Sequence, residues 1–414
     1  MPLPETIAHE GAASPRWLSI VGIGEDGVEG LNATARGLIG AAEIVFGGRR
    51  HLALAAPLIR GASRPWPSPF DGAADEVLQH RGRQVCVLAS GDPFHFGIGA
   101  VLARKIDARE MTVVPAPSAF SLAAARLGWS LPQTVLLSVH GRTLDLVRPH
   151  LQPGARILAL TSDGDGPAAL AKLLAETGFG ASPMTILEAL GGPRERIRGT
   201  TAADFDCGAV AALNTVAIEV EAAPDARVLA RTPGLADNLF EHDGQITKRE
   251  IRAVTLSALA PRRGELLWDI GAGAGSVAIE WMLADPRMRA IAIEQRADRA
   301  ARIRRNAAAF GVPGLEVVES AAPGALAALA TPDAIFIGGG SEGSVLDAAA
   351  RALRPSGRMV VNAVTLETEA LLLQRHAALG GELIRIAISR ADAIGGKTGW
   401  RPAMPVTQWL WTKP

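Results

Sequence analysis

At 414 residues the chain is too long for one ordinary domain of roughly 100–200 residues, so two domains are expected, with three as the alternative. Apolar residues make up 48% and charged residues 20%, enough to bury sizeable cores and to exclude a disordered chain. Lys+Arg and Asp+Glu balance at 42 each, which argues against a nucleic-acid binder with a basic surface, and no apolar run approaches the roughly 20 residues of a membrane span.

The opening MPLPETIAHEG has neither a basic n-region nor an apolar h-region, so no signal peptide and a cytoplasmic location are expected. Cys86 and Cys207 can make neither a disulfide framework nor a zinc site, and no metal is expected. Short apolar β-rich runs then alternate with Ala/Leu-rich helical segments, the pattern of an α/β architecture. In the first half strands are expected at WLSIVG, QVCVLAS, MTVVPA, TVLLSVH, ARILALT, MTILEAL and NTVAIEVE. The first runs into Gly22, Gly24 and Gly27, a G-x-G-x-x-G spacing, but Glu43 precedes the next run, IVF, instead of ending it. A dinucleotide site there would lack its ribose-binding acid.

LASGDPFHFGIG places Gly91, Asp92 and Pro93 directly after a strand, a favourable turn. PAPSAFSLAAARLGW places Ser118 and Ala119 at a helix start, with Ser118 as N-cap. SVHGR, TSDGDGPAAL and EALGGPRERIRGTT follow in order. The stretch EAAPDARVLARTPGLADNLFEHDG has Pro224, Pro233 and Gly234 and no sustained period, and reads as a linker partly wrapped on one domain. The expected division is residues 1–225, a linker over 226–240, and a second domain over 241–414.

In the second half strands are expected at GELLWDIG, RAIAIEQ, LEVVES, DAIFIGG, GRMVVNAV, ELIRIAIS and TQWLW. Upstream of them, HDGQITKREIR reads as a helix start, with Thr247 as N-cap and Glu250 completing a capping box. The clearest local signal is LLWDIGAGAGSVAIEWML: a strand ending at Asp269, a turn through Gly271, Ala272, Gly273, Ala274 and Gly275, and a helix opening near Ser276. Glycines serve where a ligand approaches the backbone, and the opening helix offers unpaired N–H groups. The next strand ends in Glu294, about twenty residues on, where a carboxylate can accept from ribose hydroxyls. A dinucleotide normally comes with the G-x-G-x-x-G spacing. Here the spacing is G-x-G-x-G with Asp269 two residues before the first glycine, which resembles the nucleoside-binding signature of class I S-adenosylmethionine methyltransferases. SRADAIGGKTGWRPAMP reads as a loop between late strands, bringing Arg390, Lys397 and Arg401.

HDGQITKREIR, WDIGAGAGS and FIGGGSEG together resemble the decarboxylating precorrin methyltransferase domain of cobalamin biosynthesis, a class I S-adenosylmethionine (SAM) methyltransferase with a Rossmann-like fold. The resemblance implies that Thr247, the turn from Gly271 to Gly275, Glu294 and the backbone of Ala322 contact SAM. The family's G-D-A-P-E-A-L stretch is here Ser320, Ala321, Ala322, Pro323, Gly324, Ala325 and Leu326, so its acid is missing at Ala321. Residues 16–222 resemble the two-lobed class III tetrapyrrole methylases, with S-x-H-G-R pointing to the carbon-5 branch. That resemblance implies SAM contacts at Gly91, Asp92, Ser118 and Ala119, and places Gly22 and Gly24 toward the macrocycle trough.

The two resemblances in this order imply two SAM sites and a fused enzyme of the aerobic cobalamin pathway. It would methylate precorrin-6B at carbons 5 and 15 and decarboxylate the ring C acetate to give precorrin-8x. A tetrapyrrole substrate, a homo-oligomeric assembly, and neither nucleic acid nor membrane as partner are implied. The substrate's carboxylates call for cations, with His242, Lys248, Arg252, Arg390, Lys397 and Arg401 as candidates. No proton donor is singled out. The rivals are an NAD oxidoreductase, an RNA or protein methyltransferase, which would carry an N-P-P-aromatic motif that this chain lacks, and a scaffold with degenerate pockets.

Overall fold

Parallel strands covered on both faces need continuous apolar runs, and LSIVGI, IVFG and VCVLAS are such runs. In the computed structural model, which describes residues 16–67 and 70–414, they belong to the first sheet. Its strands are β1 (Leu18–Ile23), β2 (Ile44–Gly47), β3 (Ala62–Pro65), β4 (Val85–Ser90) and β5 (Met111–Val114), in the order β3-β2-β4-β1-β5. Every pairing is parallel. Leu18 and Ile20 pack on one face, Val21 and Ile23 on the other. Cys86 is buried in β4, where burial pushes its thiol up to about 12. The opening segment MPLPETIAHEG lies outside the described residues.

A second sheet comprises β6 (Thr134–Ser138), β7 (Arg156–Leu160), β8 (Pro183–Glu188), β9 (Arg196–Thr201) and β10 (Asn214–Glu219), in the order β6-β7-β10-β8-β9. Only its β6–β7 pairing is parallel. The edge strands β3 and β9 are polar and largely exposed, so no apolar period announces them.

The third sheet is built from β11 (Leu266–Ile270), β12 (Arg289–Glu294), β13 (Glu316–Glu319), β14 (Ala334–Ile337), β15 (Arg358–Ala363), β16 (Glu382–Ile386) and β19 (Val406–Thr412). Its order is β13-β12-β11-β14-β15-β19-β16, parallel except that β19 runs antiparallel to both neighbours. β11 continues one residue past Asp269. The expected loop after β16 is instead an antiparallel hairpin of β17 (Ser389–Ile394) and β18 (Lys397–Pro402), turning at Gly395 and Gly396. Among the described residues no helix is long and apolar enough to cross a membrane.

The chain divides into two compact units, one ending at Leu144 and resuming over Pro153–Arg227, the other formed by Asp145–Gln152 with Val228–Pro414. The stretch read as a linker therefore belongs largely to the second unit, where Leu229, Leu235 and Phe240 enter the core. Polar bonds hold it: the N–H groups of Gly234 and Leu235 donate to Glu280 at 2.7 and 2.9 Å. Arg252, fully buried, donates to the same carboxylate at 2.6 Å and lies 4.7 Å from the Phe240 ring centroid. Unpairing such a buried charge costs about 3–5 kcal/mol, so Arg252 is structural and is withdrawn from the substrate-binding candidates. Residues 145–152 join the same unit, with Gln152 Nε2 donating to the Leu229 carbonyl at 2.8 Å.

Candidate functional site

A cavity of about 590 Å³ opens at the carboxyl ends of β11, β12, β14 and β15 in the second unit, the position where parallel sheets hold ligands. Glu294, at the end of β12, is buried. Its Oε2 accepts from the Gly273 N–H and its Oε1 from the Arg296 N–H, both at 3.0 Å. Gly271, Ala272 and Gly273 line the cavity beside it. Gly271 has φ +69°, and a β-carbon there would fall 2.5 Å from the Gly339 carbonyl oxygen, so only glycine fits. Ala274 and Gly275 do not line the cavity. Ala274 is buried, and a β-carbon on Gly275 would strike Ile303 of the helix Ala297–Ala309 at 2.8 Å; these two pack the turn onto that helix.

Thr247 and Ala322 also line the cavity, as does Ala321, where the expected acid is absent. Thr247 is not a helix cap, however. The helix Arg249–Leu259 is capped by Lys248, without a side-chain bond. The capping box fails because Glu250 turns to an ion pair with Arg390, while the Thr247 carbonyl accepts from Arg252 at 2.6 Å. Arg390 reaches the cavity from β17, and Lys248 lines it too. Lys397 is exposed beside the hairpin turn and Arg401 pairs with Asp392 at 3.1 Å; neither lines the cavity. His242 also lies off the lining and accepts from the Gly244 N–H at 3.0 Å.

Beneath the glycine turn, Asp269 is fully buried; its Oδ2 accepts from the Ala278 N–H at 3.0 Å and its Oδ1 has no bond. Burial pushes this carboxyl up to about 7, the Ala278 bond opposing and the Glu294 charge adding to the effect. The folded unit therefore keeps a proton that the unfolded chain, at an ordinary 3.8, has already released. Stability should fall as pH rises between about 4 and about 7 and level off above. Asp269→Asn should flatten that dependence, read as the difference between variant and parent in thermal melts across the range; parallel curves would refute it.

In the first unit the expected residues also converge, at the carboxyl ends of β1, β4 and β5. Gly91 has φ +56°, its N–H donates to the Ile23 carbonyl at 3.2 Å, and its carbonyl accepts from the Ala116 N–H at 3.3 Å. Asp92 Oδ1 accepts from the Phe94 N–H at 2.8 Å, closing the turn. Ser118 caps the helix Ala119–Leu127 by accepting from the Ser121 N–H at 3.1 Å. Gly22 is buried beneath this loop, where a β-carbon would meet the Gly91 carbonyl oxygen at 1.9 Å. Its nearest neighbours are backbone atoms of Gly91 and Ala116, so it packs the two loops together. Gly24 lies against the Asp26 side chain.

The chain matches the family model of the Tetrapyrrole (Corrin/Porphyrin) Methylases over residues 18–206 and that of the Precorrin methyltransferase domain over residues 238–413. A Sinorhizobium sp. protein described as precorrin-6Y C(5,15)-methyltransferase (decarboxylating) is 62% identical over 405 residues, covering 98% of each chain. The chain belongs to the precorrin-6Y C(5,15)-methyltransferase (decarboxylating) family.

Two relatives of this methyltransferase family member each span less than half of it. A cobalt-precorrin-7 C(5)-methyltransferase of Salmonella typhimurium is 29% identical, covering 48% of this chain and 98% of its own length. A probable cobalt-precorrin-6B C(15)-methyltransferase (decarboxylating) of Pyrobaculum calidifontis is 35% identical, covering 42% of this chain and 93% of its own. The precorrin methyltransferase also has a cavity residue that the sequence reading passed over, Asn362 at the end of β15. It is buried, donates to Thr255 Oγ1 at 3.0 Å and accepts from Gln408 Nε2 at 2.8 Å. A lone amide closing the apolar run GRMVVNAV was its signal. Among the described residues no cluster of His, Cys, Asp or Glu is placed to hold a metal ion.

Proposed function

We propose that each unit holds one SAM site, the first methylating carbon 5 of precorrin-6B and the second methylating carbon 15 and removing CO2 from the ring C acetate, to yield precorrin-8x. The observation that carries this reading is the second unit's cavity, where the Gly271–Gly273 turn and Glu294 share one space with Arg390 and Lys248. The glycine cradle and the buried acceptor suit a nucleoside, and the two cations suit a substrate rich in carboxylates. The existence of relatives with one activity each, spanning 48% and 42% of this chain, supports a division of labour between the units.

SAM, when bound, supplies an electrophilic methyl group. Bridging carbons of a reduced tetrapyrrole are enamine-like and already nucleophilic, so methyl transfer needs alignment and exclusion of water more than a strong base. Decarboxylation leaves an electron pair that a protonated, conjugated imine of the macrocycle can accept. The residues of this chain bind and orient: Glu294 the ribose hydroxyls, Arg390 and Lys248 the substrate carboxylates. The same reading places the enzyme in the cytoplasm as a homo-oligomer.

Calorimetric titration of the intact chain should take up two equivalents of SAM. Turnover of precorrin-6B should add two methyl groups and release one CO2. Uptake of a single equivalent would overturn the two-site reading.

A further inference from the structure

The first unit has a cavity of about 620 Å³ whose lining includes Arg50, Glu188, Arg194, Glu195 and Arg196. Its walls come from a helix beside the first sheet and from strands and turns of the second. Arg50 belongs to the helix Arg49–Ala55 that follows β2, whereas Arg194 and Arg196 lie at the turn from β8 into β9. The charges around it do not balance. Glu25, whose side chain is 7% exposed, accepts from Arg50 and also lies 3.5 Å from Arg194. Glu188, at 2%, holds both Arg196 and Arg198, at 2.7 and 2.8 Å. Glu195 takes Arg126 at 2.6 Å. Five guanidiniums thus share three carboxylates.

The excess sits where a ligand could reach it. The Arg194 side chain is 80% exposed, and the carboxylate it approaches is already committed to Arg50. Arg50 in turn donates to Ser90 Oγ at 3.0 Å and bonds His51 Nε2 at 2.8 Å. Ser90 immediately precedes Gly91, so the cationic wall is tied to the loop assigned to the methyl donor. Burial, with the neighbouring Arg50 charge, holds the His51 ring down at about 4, so it is neutral near pH 7 and takes no share of the charge. Glu188 is ionised at the same pH: burial alone would raise it, but Arg196, the Ala211 N–H and Arg198 bring it down to about 2.

We propose that this cavity is a carboxylate-binding subsite, in which Arg194 holds a peripheral carboxylate of the macrocycle while it is methylated beside the Gly91–Asp92 loop, and Arg50, committed to Glu25, Ser90 and His51, fixes the wall behind it. Arginine suits the role because its planar fork pairs a carboxylate through two parallel bonds. The proposal rests on the reading that the first unit methylates carbon 5, and it adds the residues that select the substrate there. Arg194 is the residue to test, since its exposed side chain can be changed without opening the core.

The intact chain is assayed with precorrin-6B and ¹³C-methyl SAM, and methyl transfer to carbon 5 and to carbon 15 is followed separately by NMR. Arg194→Glu should raise the KM of the carbon-5 step roughly 30-fold with little change in kcat, and Arg194→Lys only a few-fold. Carbon-15 methylation and the uptake of two SAM equivalents should be unaffected. An unchanged KM in Arg194→Glu, or a fall in kcat alone, would overturn the subsite. Gly91→Val separates this failure from that of the underlying reading, because its β-carbon would meet the Pro117 carbonyl oxygen at 2.7 Å. If Gly91→Val leaves carbon-5 methylation intact, the assignment of carbon 5 to this unit falls and takes the subsite with it. If Gly91→Val silences carbon 5 while Arg194→Glu leaves KM alone, only the subsite falls.

Discussion

Replacing Gly22 with alanine should silence methylation at carbon 5 and leave the carbon-15 step untouched. The added β-carbon would lie 1.9 Å from the Gly91 carbonyl oxygen and 2.6 Å from the Ala116 nitrogen. Both obstacles are backbone, so relief must come from moving the β4 and β5 loops themselves. Those loops carry Asp92 and Ser118, and a misplacement near 1 Å can cost about 100-fold in rate. Here the required shift is larger, so activity should drop below detection. Product NMR reads the methyl pattern, and calorimetry should show one SAM equivalent where the parent takes two. A carbon-5 rate within several-fold of the parent would remove the Gly91 loop from the site.

Glu294→Ala should do the converse, removing methylation at carbon 15 while carbon 5 is still methylated. The carboxylate binds two backbone N–H groups at 3.0 Å each, from Gly273 in the glycine turn and Arg296 after β12. Hydrogen bonds to a charged group contribute about 1.5–3 kcal/mol apiece, so losing these and the proposed ribose contact should weaken SAM binding by about 100-fold or more. Glu294→Gln, which keeps one acceptor oxygen, should fall between. A further readout is independent of activity. The Glu294 charge helps to raise the Asp269 carboxyl, so the alanine variant should shift the fall in stability to lower pH. Unchanged SAM affinity in the alanine variant would remove Glu294 from the site.

The parts of the fold and site that the sequence made legible are those specified locally. A strand, a glycine turn and an acid at the end of the next strand lie within 30 residues, and Gly271, Gly273 and Glu294 were read from that run alone. Ser118 was readable for the same reason, because an N-cap is chemistry between near neighbours. What escaped depends on distant partners. Thr247 reads as a cap from its neighbours alone, but Glu250 is held by Arg390, 140 residues away. The Gly234 turn reads as part of a linker because its anchor, Glu280, is 46 residues on. The hairpin of β17 and β18 has largely exposed strands, so no buried face imposed a period, although Gly395-Gly396 between them is a hairpin turn signal. Nothing in EALGGPRERIRGTT singles out Arg194 and Arg196, because the surplus they create appears only once Glu25 and Glu188 are brought beside them.

The excursion of residues 145–152 into the second unit bears on how the two activities can be separated. Gln152 holds the Leu229 carbonyl, and a side chain on Gly311 would collide with Pro149, so this short segment forms part of the second unit's own wall. A truncation beginning at residue 226 discards that wall along with the first unit. Point substitutions in the intact chain, such as those at Gly22 and Glu294, therefore dissect the two methylations more faithfully than severed halves.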